Sequence, residues 1–203
     1  MVPLNSGCAV IVMAKAPMPG LAKTRLIPAL GAEGAAALAA RMLRHAVAEA
    51  LAADVGPVTL CAAPDLSHPV FRELAQDRRL VLAEQGEGDL GARMLRAFQQ
   101  ALATHGSALL IGTDAPDLDA ATLRAARDAL ASHDAVIIPA HDGGYALIGL
   151  HRAEPSLFEA MPWSTPQVMA RTRERLRDAG LRWAELAPLH DIDEPADLLH
   201  LAG

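Results

Sequence analysis

The chain has 203 residues, 52% of them hydrophobic, 21% charged and only 3% aromatic. That excludes a disordered chain, leaves a core of Ala, Leu, Val and Ile, and gives no aromatic platform for stacking single-stranded bases. A net charge of −6 weighs against a nucleic-acid backbone or an anionic membrane surface as partner, so any bound phosphate must meet a local basic cluster.

The length fits one domain, residues 1–203. The first apolar run, Cys8–Ala14, has seven residues, no basic residue before it and Lys15 after it. It is too short for a membrane span and lacks the charge pattern of a signal peptide, so a strand and a cytoplasmic location are expected. The segment Ala14-Lys15-Ala16-Pro17-Met18-Pro19-Gly20-Leu21-Ala22-Lys23-Thr24-Arg25-Leu26 follows. Two prolines and a glycine make it a loop, and ligands of open α/β sheets sit at the carboxyl ends of strands. Lys15, Lys23 and Arg25 concentrate positive charge there, lysine as a mobile point charge and arginine as a fork for phosphate oxygens. A solvated basic turn is the alternative; the place after strand one favours phosphate. Gly20-x-x-Lys23-Thr24 echoes a Walker A loop but lacks the glycine before the lysine, which disfavours a P-loop NTPase.

Ala35–Ala53 carries Leu38, Met42 and Ala46 at helical spacing. Val58–Ala62 and Leu80–Ala83 read as strands, with Cys61, like Cys8, a buried apolar residue. Gly86-Glu87-Gly88-Asp89-Leu90-Gly91-Ala92-Arg93 bares backbone before a helix over Asp89–Ala103, whose core positions are Leu90, Met94, Ala97 and Phe98. Asp89 is a helix cap, or a cap and a ligand contact; both readings stay open. Strand Ala108–Ile111 runs into Gly112-Thr113-Asp114-Ala115-Pro116-Asp117. Asp114, at the strand's carboxyl edge, suits a Mg²⁺ held by a carboxylate and phosphates; Asp117 reads as a turn or cap. Asp119 caps a helix to Ala131.

Strands Ala135–Pro139 and Tyr145–Leu150 flank His141-Asp142-Gly143-Gly144, a hairpin turn or a bared backbone facing an acceptor or sugar. Thr165-Pro166 opens a helix to about Arg177, with Arg171–Arg175 on a solvated face. Trp183–Leu186 is a weaker strand. In His190-Asp191-Ile192-Asp193-Glu194-Pro195, which opens a last short helix, Asp193 is a cap or a second carboxylate for the cation. The eight histidines show no metal-ligand spacing, and no nucleophile motif is present. Alternating strands and helices give an α/β fold, a three-layer α/β/α sandwich with a mostly parallel central sheet.

In order, KAPMPGLAKTRL, EQGEGDLGARM, GTDAPDL, DGGYALIGL, PWSTPQVMARTRERL and DIDEPADL resemble the nucleotide-diphosphosugar transferases of the GT-A type. In particular the chain resembles a bacterial family called glycosyltransferase or selenodomain-associated transferase. More distantly the chain is similar to the molybdenum-cofactor and 2-phospho-lactate guanylyltransferases and the CMP-sugar synthetases. The resemblance implies a nucleotide held by the loop after strand one through Lys15, Gly20, Lys23 and Arg25. It implies a Mg²⁺ or Mn²⁺ ion on Asp114, and on Asp193 by its match to the late V-D-T-P-E-D-L segment of the CMP-sugar synthetases. The full nucleotide-contacting set is then Ala14, Lys15, Gly20, Lys23, Thr24, Arg25, Asp89 and Gly91, with Asp142, Gly143, Gly144 and Tyr145 toward the acceptor or sugar. Lys15, Lys23, Arg25 and Asp114 would carry the chemistry. Asp114-Ala115-Pro116-Asp117 replaces the Asp-x-Asp of GT-A glycosyltransferases, and Asp191-Ile192-Asp193 has that spelling at the other end of the fold. The expected function is metal-dependent transfer from a nucleotide or nucleotide-sugar donor to a small acceptor, by glycosyl or nucleotidyl transfer, in a chain with no nucleic-acid partner and no membrane span. A non-catalytic nucleotide-binding or partner-binding module is the alternative.

Overall fold

The structure is a computed structural model that describes residues 5–201. Its strands are β1 (Asn5–Lys15), β2 (Val58–Ala63), β3 (Leu80–Glu84), β4 (His105–Ile111), β5 (Ala135–Pro139), β6 (Tyr145–Leu150) and β7 (Trp183–Glu185). They form one sheet in the order β3-β2-β1-β4-β6-β5-β7. Only β6 runs against its neighbours, pairing antiparallel with β4 and β5. The expected mostly parallel sheet is what forms.

Strand β1 shows why its sequence does not alternate. Cys8, Val10, Val12 and Ala14 pack on one side with Leu43, Val47 and Ala50 of α1 (Ile27–Ala53) and Leu123 and Ala126 of α4 (Ala120–Ala129). Ala9, Ile11 and Met13 pack on the other with Met94, Ala97 and Phe98 of α3 (Leu90–Leu102) and Met169 and Leu176 of α5 (Val168–Asp178). A strand covered on both faces must be apolar at every position. Each fully buried Leu, Ile or Phe contributes about 1.5–3 kcal/mol, and the two apolar faces of the sheet fix which side each helix covers.

Most boundaries follow local chemistry. Asp89 and Asp119 accept hydrogen bonds from the amides of Ala92 (2.8 Å) and Thr122 (2.7 Å), satisfying N–H groups that a helix start leaves free. α1 begins earlier than its periodicity suggests: Pro28 opens a first turn, and Gly31 (φ 71°, ψ 167°) then breaks it from the amphipathic part. Residues Thr24–Ala53 are long and apolar enough to cross a membrane, but Leu38, Met42, Leu43 and Val47 are spent on core contacts. α5 starts at Val168, not at Thr165-Pro166. The Thr165 hydroxyl instead donates to the Pro162 carbonyl (2.7 Å), closing a turn ahead of the helix. Three elements have no counterpart in the sequence reading: a 3₁₀ turn at Thr24–Leu26, α2 (Pro69–Leu74) and a 3₁₀ turn at Pro155–Leu157. The last short helix is a 3₁₀ segment, Pro195–His200.

Candidate functional site

The chain leaves β1 through α1 toward β2, and comes back through α3 to lay β4 on the other side of β1. That reversal opens a crevice at the carboxyl ends of β1 and β4. The loop after β1 and the loop carrying Asp114 both emerge there. Because β6 is antiparallel, its first residue, Tyr145, lies at this edge too: Leu147 pairs with Ile111, the last residue of β4. The segment after β7 is drawn in when the Ile192 amide donates to the Asp114 carbonyl (2.8 Å) and the buried Ile192 side chain joins Leu26 and Met42.

At this edge Lys23, Asp114 and Asp193 converge. The Lys23 ammonium is ion-paired to Asp114 Oδ1, donates to Asp193 Oδ1 at 3.0 Å, and donates to the Ile192 carbonyl. Its side chain is 6% exposed, whereas those of Asp114 and Asp193 are 50% and 41% exposed. Burial opposes the charge on Lys23, but Asp114 and then Asp193 outweigh it and hold the ammonium above the ordinary lysine value. The late segment is braced by the Asp197 carboxylate, which accepts from the amides of Asp193 (3.0 Å) and Glu194 (2.7 Å). Glu194, not Asp193, is the cap of the 3₁₀ turn. Asp193 is left free to face Lys23.

The other residues of the first loop divide. Lys15, Thr24 and Arg25 are exposed; Lys15 has no carboxylate partner among the described residues, and Arg25 stands 3.9 Å from Glu194. Gly20, also exposed, takes φ 79°, a backbone conformation that L side chains rarely adopt. Ala14 is buried and its carbonyl accepts from the Gln85 side-chain amide (2.9 Å).

Gln85 carries the root of the second loop. This buried side chain also donates to the Cys61 carbonyl (2.9 Å), and its own amide donates to Ala62. Arg96 of α3 then donates to the carbonyls of Gln85 (2.6 Å) and Glu87 (2.9 Å), and Arg93 to that of Gly88 (2.9 Å). Asp89 is the helix cap described above. Gly91 is buried: a β-carbon there would lie 2.2 Å from the Phe158 carbonyl oxygen and 2.8 Å from Trp163 Nε1. This glycine permits chain to pack on chain.

The Asp142–Tyr145 segment is a hairpin turn. Asp142 Oδ1 accepts from the Gly144 amide (2.7 Å), and the Gly143 carbonyl accepts from Met169 (2.8 Å). Tyr145 and Trp163 meet edge to face, ring centroids 6.4 Å apart. The Tyr145 hydroxyl and Trp163 Nε1 are both buried without a hydrogen-bond partner, and burial pushes the Tyr145 pKa up. Beside the hairpin, His141, His190 and His200 stack face to face with centroids 4.0 and 3.9 Å apart. Burial, then the nearby Asp142 carboxylate, pushes Asp191 up to about 6. Sequence reading gave no role to Gln85, Arg96 or Trp163, and read Asp191 only as part of the Asp191-Ile192-Asp193 spelling. Gln85 and Arg96 flank a glycine loop, the one signal that could have drawn attention to them. Cys8 and Cys61 are buried and free, as read, and burial pushes Cys61 up to about 11.

The sequence matches, over residues 35–165, the family described as "Uncharacterized protein conserved in bacteria (DUF2064)". The chain belongs to this family. No curated protein matches this DUF2064 chain. It is 31% identical to a protein from Desulfovibrio desulfuricans G20 named as a candidate nucleotide-diphospho-sugar transferase, covering 94% of this chain and 84% of that one, with a TM-score of 0.85. Two more distant structures share its fold. CMP:2-keto-3-deoxy-manno-octonic acid synthetase, solved with CTP, is 13% identical with 97% of each chain covered and a TM-score of 0.59. Rv0371c from Mycobacterium tuberculosis H37Rv is 17% identical with 98% of each chain covered and a TM-score of 0.63, and has also been solved with manganese. The DUF2064 chain thus has the fold of the nucleotide-diphospho-sugar transferases and nucleotidyltransferases.

Proposed function

We propose that this chain is a divalent-metal-dependent transferase that takes a nucleotide or nucleotide-sugar as donor. The observation that carries the reading is the convergence of Asp114 and Asp193, far apart in sequence, on one cationic group at the β1–β4 crevice. The donor set fits a hard cation: two half-exposed carboxylates, already sharing a positive charge. No group of three His, Cys, Asp or Glu side chains is arranged for a metal among the described residues. Two carboxylates completed by phosphate oxygens and water is the usual Mg²⁺ arrangement. Bound there, the ion would neutralise charge on the donor phosphates.

The chain's own residues would do the rest. Lys15, the last residue of β1, and Arg25, in the loop after it, are exposed cations that would meet phosphate oxygens. Such transfer needs positioning and electrostatic help more than a covalent nucleophile. The hairpin at Asp142–Tyr145 ends on the same edge and is the wall available to an acceptor. Nucleotidyl transfer is favoured over glycosyl transfer, because the partner of Asp114 is Asp193 from the late segment, as in the CMP-sugar synthetases, and not an Asp-x-Asp neighbour. Related structures solved with CTP and with manganese support the donor and metal classes.

A thermal-shift panel of nucleoside triphosphates and nucleotide-sugars, each with and without Mg²⁺ or Mn²⁺, tests this. A donor at about 100 times its Kd should stabilise the fold by roughly 2.7 kcal/mol. A metal-dependent shift with a triphosphate names a nucleotidyl donor, and with a nucleotide-sugar a glycosyl donor. Absence of any shift would overturn the transferase reading.

A further inference from the structure

The ammonium of Lys23 lies between Asp114 and Asp193, the two carboxylates proposed above as ligands of the cation. All three of its donors are committed, to Asp114, Asp193 and the Ile192 carbonyl, so in this state it has none left for a phosphate. The carboxylates stay open to solvent while the ammonium closes the site from inside. Lys23 also holds φ 47°, ψ 46°, left-handed backbone that a side chain other than glycine seldom takes. That backbone and the committed ammonium belong to one arrangement.

Residue choice points the same way. Sixteen of the eighteen Lys and Arg residues are arginine, and the only two lysines, Lys15 and Lys23, both lie at this loop. A guanidinium is a rigid fork that grips carboxylates bidentately, whereas an ammonium is a compact charge on a flexible stem. Only the latter resembles a small cation in size and can be exchanged for one.

We propose that Lys23 is a tethered counter-ion that a divalent cation displaces, freeing the ammonium to turn to the donor phosphate. The inference rests on the reading of Asp114 and Asp193 as metal ligands. It makes the metal-free protein a weak metal binder, and couples metal entry to release of a phosphate-binding group. A cation and Lys23 compete for the same oxygens, so each state excludes the other.

Two measurements test it on the full chain, with Mn²⁺ alone as probe. The first is Mn²⁺ affinity by electron paramagnetic resonance for wild type, Lys23→Met, Lys23→Gln, Lys15→Met and Asp114→Asn. Lys23→Gln retains a donor for the Ile192 carbonyl and guards against a folding failure of Lys23→Met. The expected result is at least tenfold tighter Mn²⁺ binding when Lys23 is replaced, little change for Lys15→Met, and loss of binding for Asp114→Asn. Equal tightening at Lys15 and Lys23 reduces the effect to general charge and overturns the proposal. So does unchanged or weaker binding in the Lys23 variants while Asp114→Asn still loses it; that result leaves the metal site standing. If Asp114→Asn binds Mn²⁺ as wild type does, the metal-site reading itself fails.

The second is amine acetylation read by mass spectrometry, which resolves the two lysines. Without metal, Lys15 should react at least tenfold faster than Lys23, and Mn²⁺ should bring Lys23 toward the rate of Lys15. A Lys23 rate that Mn²⁺ leaves unchanged or lowers shows that the ammonium stays in place, and the displacement is then wrong.

Discussion

The two loops that flank the crevice are held by opposite means. The loop after β1 is fixed at Lys23 by partners that lie 169 and 170 residues further along the chain, in Ile192 and Asp193. The loop at Gly86–Gly91 is fixed by its own neighbourhood: the Asp89 cap, Arg93 on Gly88, and Arg96 on Gln85 and Glu87, none more than 11 residues away. A loop held by distant charges can change partners when another charge arrives. A loop held by its own helix keeps its shape. Under the proposed function, the first would meet the donor phosphates and the second would form a rigid wall.

Several changes would break or sharpen this contrast. Asp114→Asn is expected to have the largest effect, a loss of about a hundredfold or more in turnover with whichever donor gives a metal-dependent shift. Steady-state kinetics check it, and a wild-type rate would remove Asp114 from the chemistry. Gly91→Ala acts on the rigid side. With Phe158 and Trp163 already in the way, it should cost about 1–3 kcal/mol or more in denaturant unfolding, and a neutral result would mean that α3 shifts freely. Asp89→Ala should cost about 1 kcal/mol for the lost cap, again by denaturant midpoint. Nucleotide affinity that falls no further than this loss of order explains would assign Asp89 to capping alone.

The smallest effect is a pH dependence confined to the first loop. The Lys23 pKa is raised in the folded state, against about 10.4 in the unfolded chain. Its pairing therefore stabilises fully below that pH, and the contribution is lost as the pH rises through the folded value. The stability difference between wild type and Lys23→Gln should shrink on titration above about pH 10.4. Asp89→Ala and wild type should keep a constant difference over the same range. A constant difference for Lys23→Gln as well would show that the ion pair contributes nothing measurable.

The sheet was legible because its signal is local. Runs such as Ala135–Pro139 and Tyr145–Leu150 coincide with β5 and β6, and the aspartate caps of α3 and α4 hold. α2 escaped because six residues, Pro69–Leu74, are too few to show a helical period. Thr165-Pro166 misled because the same pair that opens a helix also closes a turn on Pro162. At the site, the resemblance brought Asp114 and Asp193 together, but the ammonium of Lys23 between them was not readable. Its place depends on the crossover that lays β4 beside β1 and on the return of the chain past β7. Nor could a lone sequence show that Tyr145 would meet Trp163, or that Gln85 would reach into two other strands.

That glutamine has one more consequence. Its side-chain amide holds the ends of β1 and β2 together, while its own backbone begins the Gly86–Gly91 turn. The roots of the two loops are thereby pinned to a single buried amide. Neither can slide along the sheet without stranding donors away from water, at a cost of about 1–3 kcal/mol each. The crevice should accordingly behave as a fixed-jaw vice, in which ions and side chains rearrange within the opening while its width stays set.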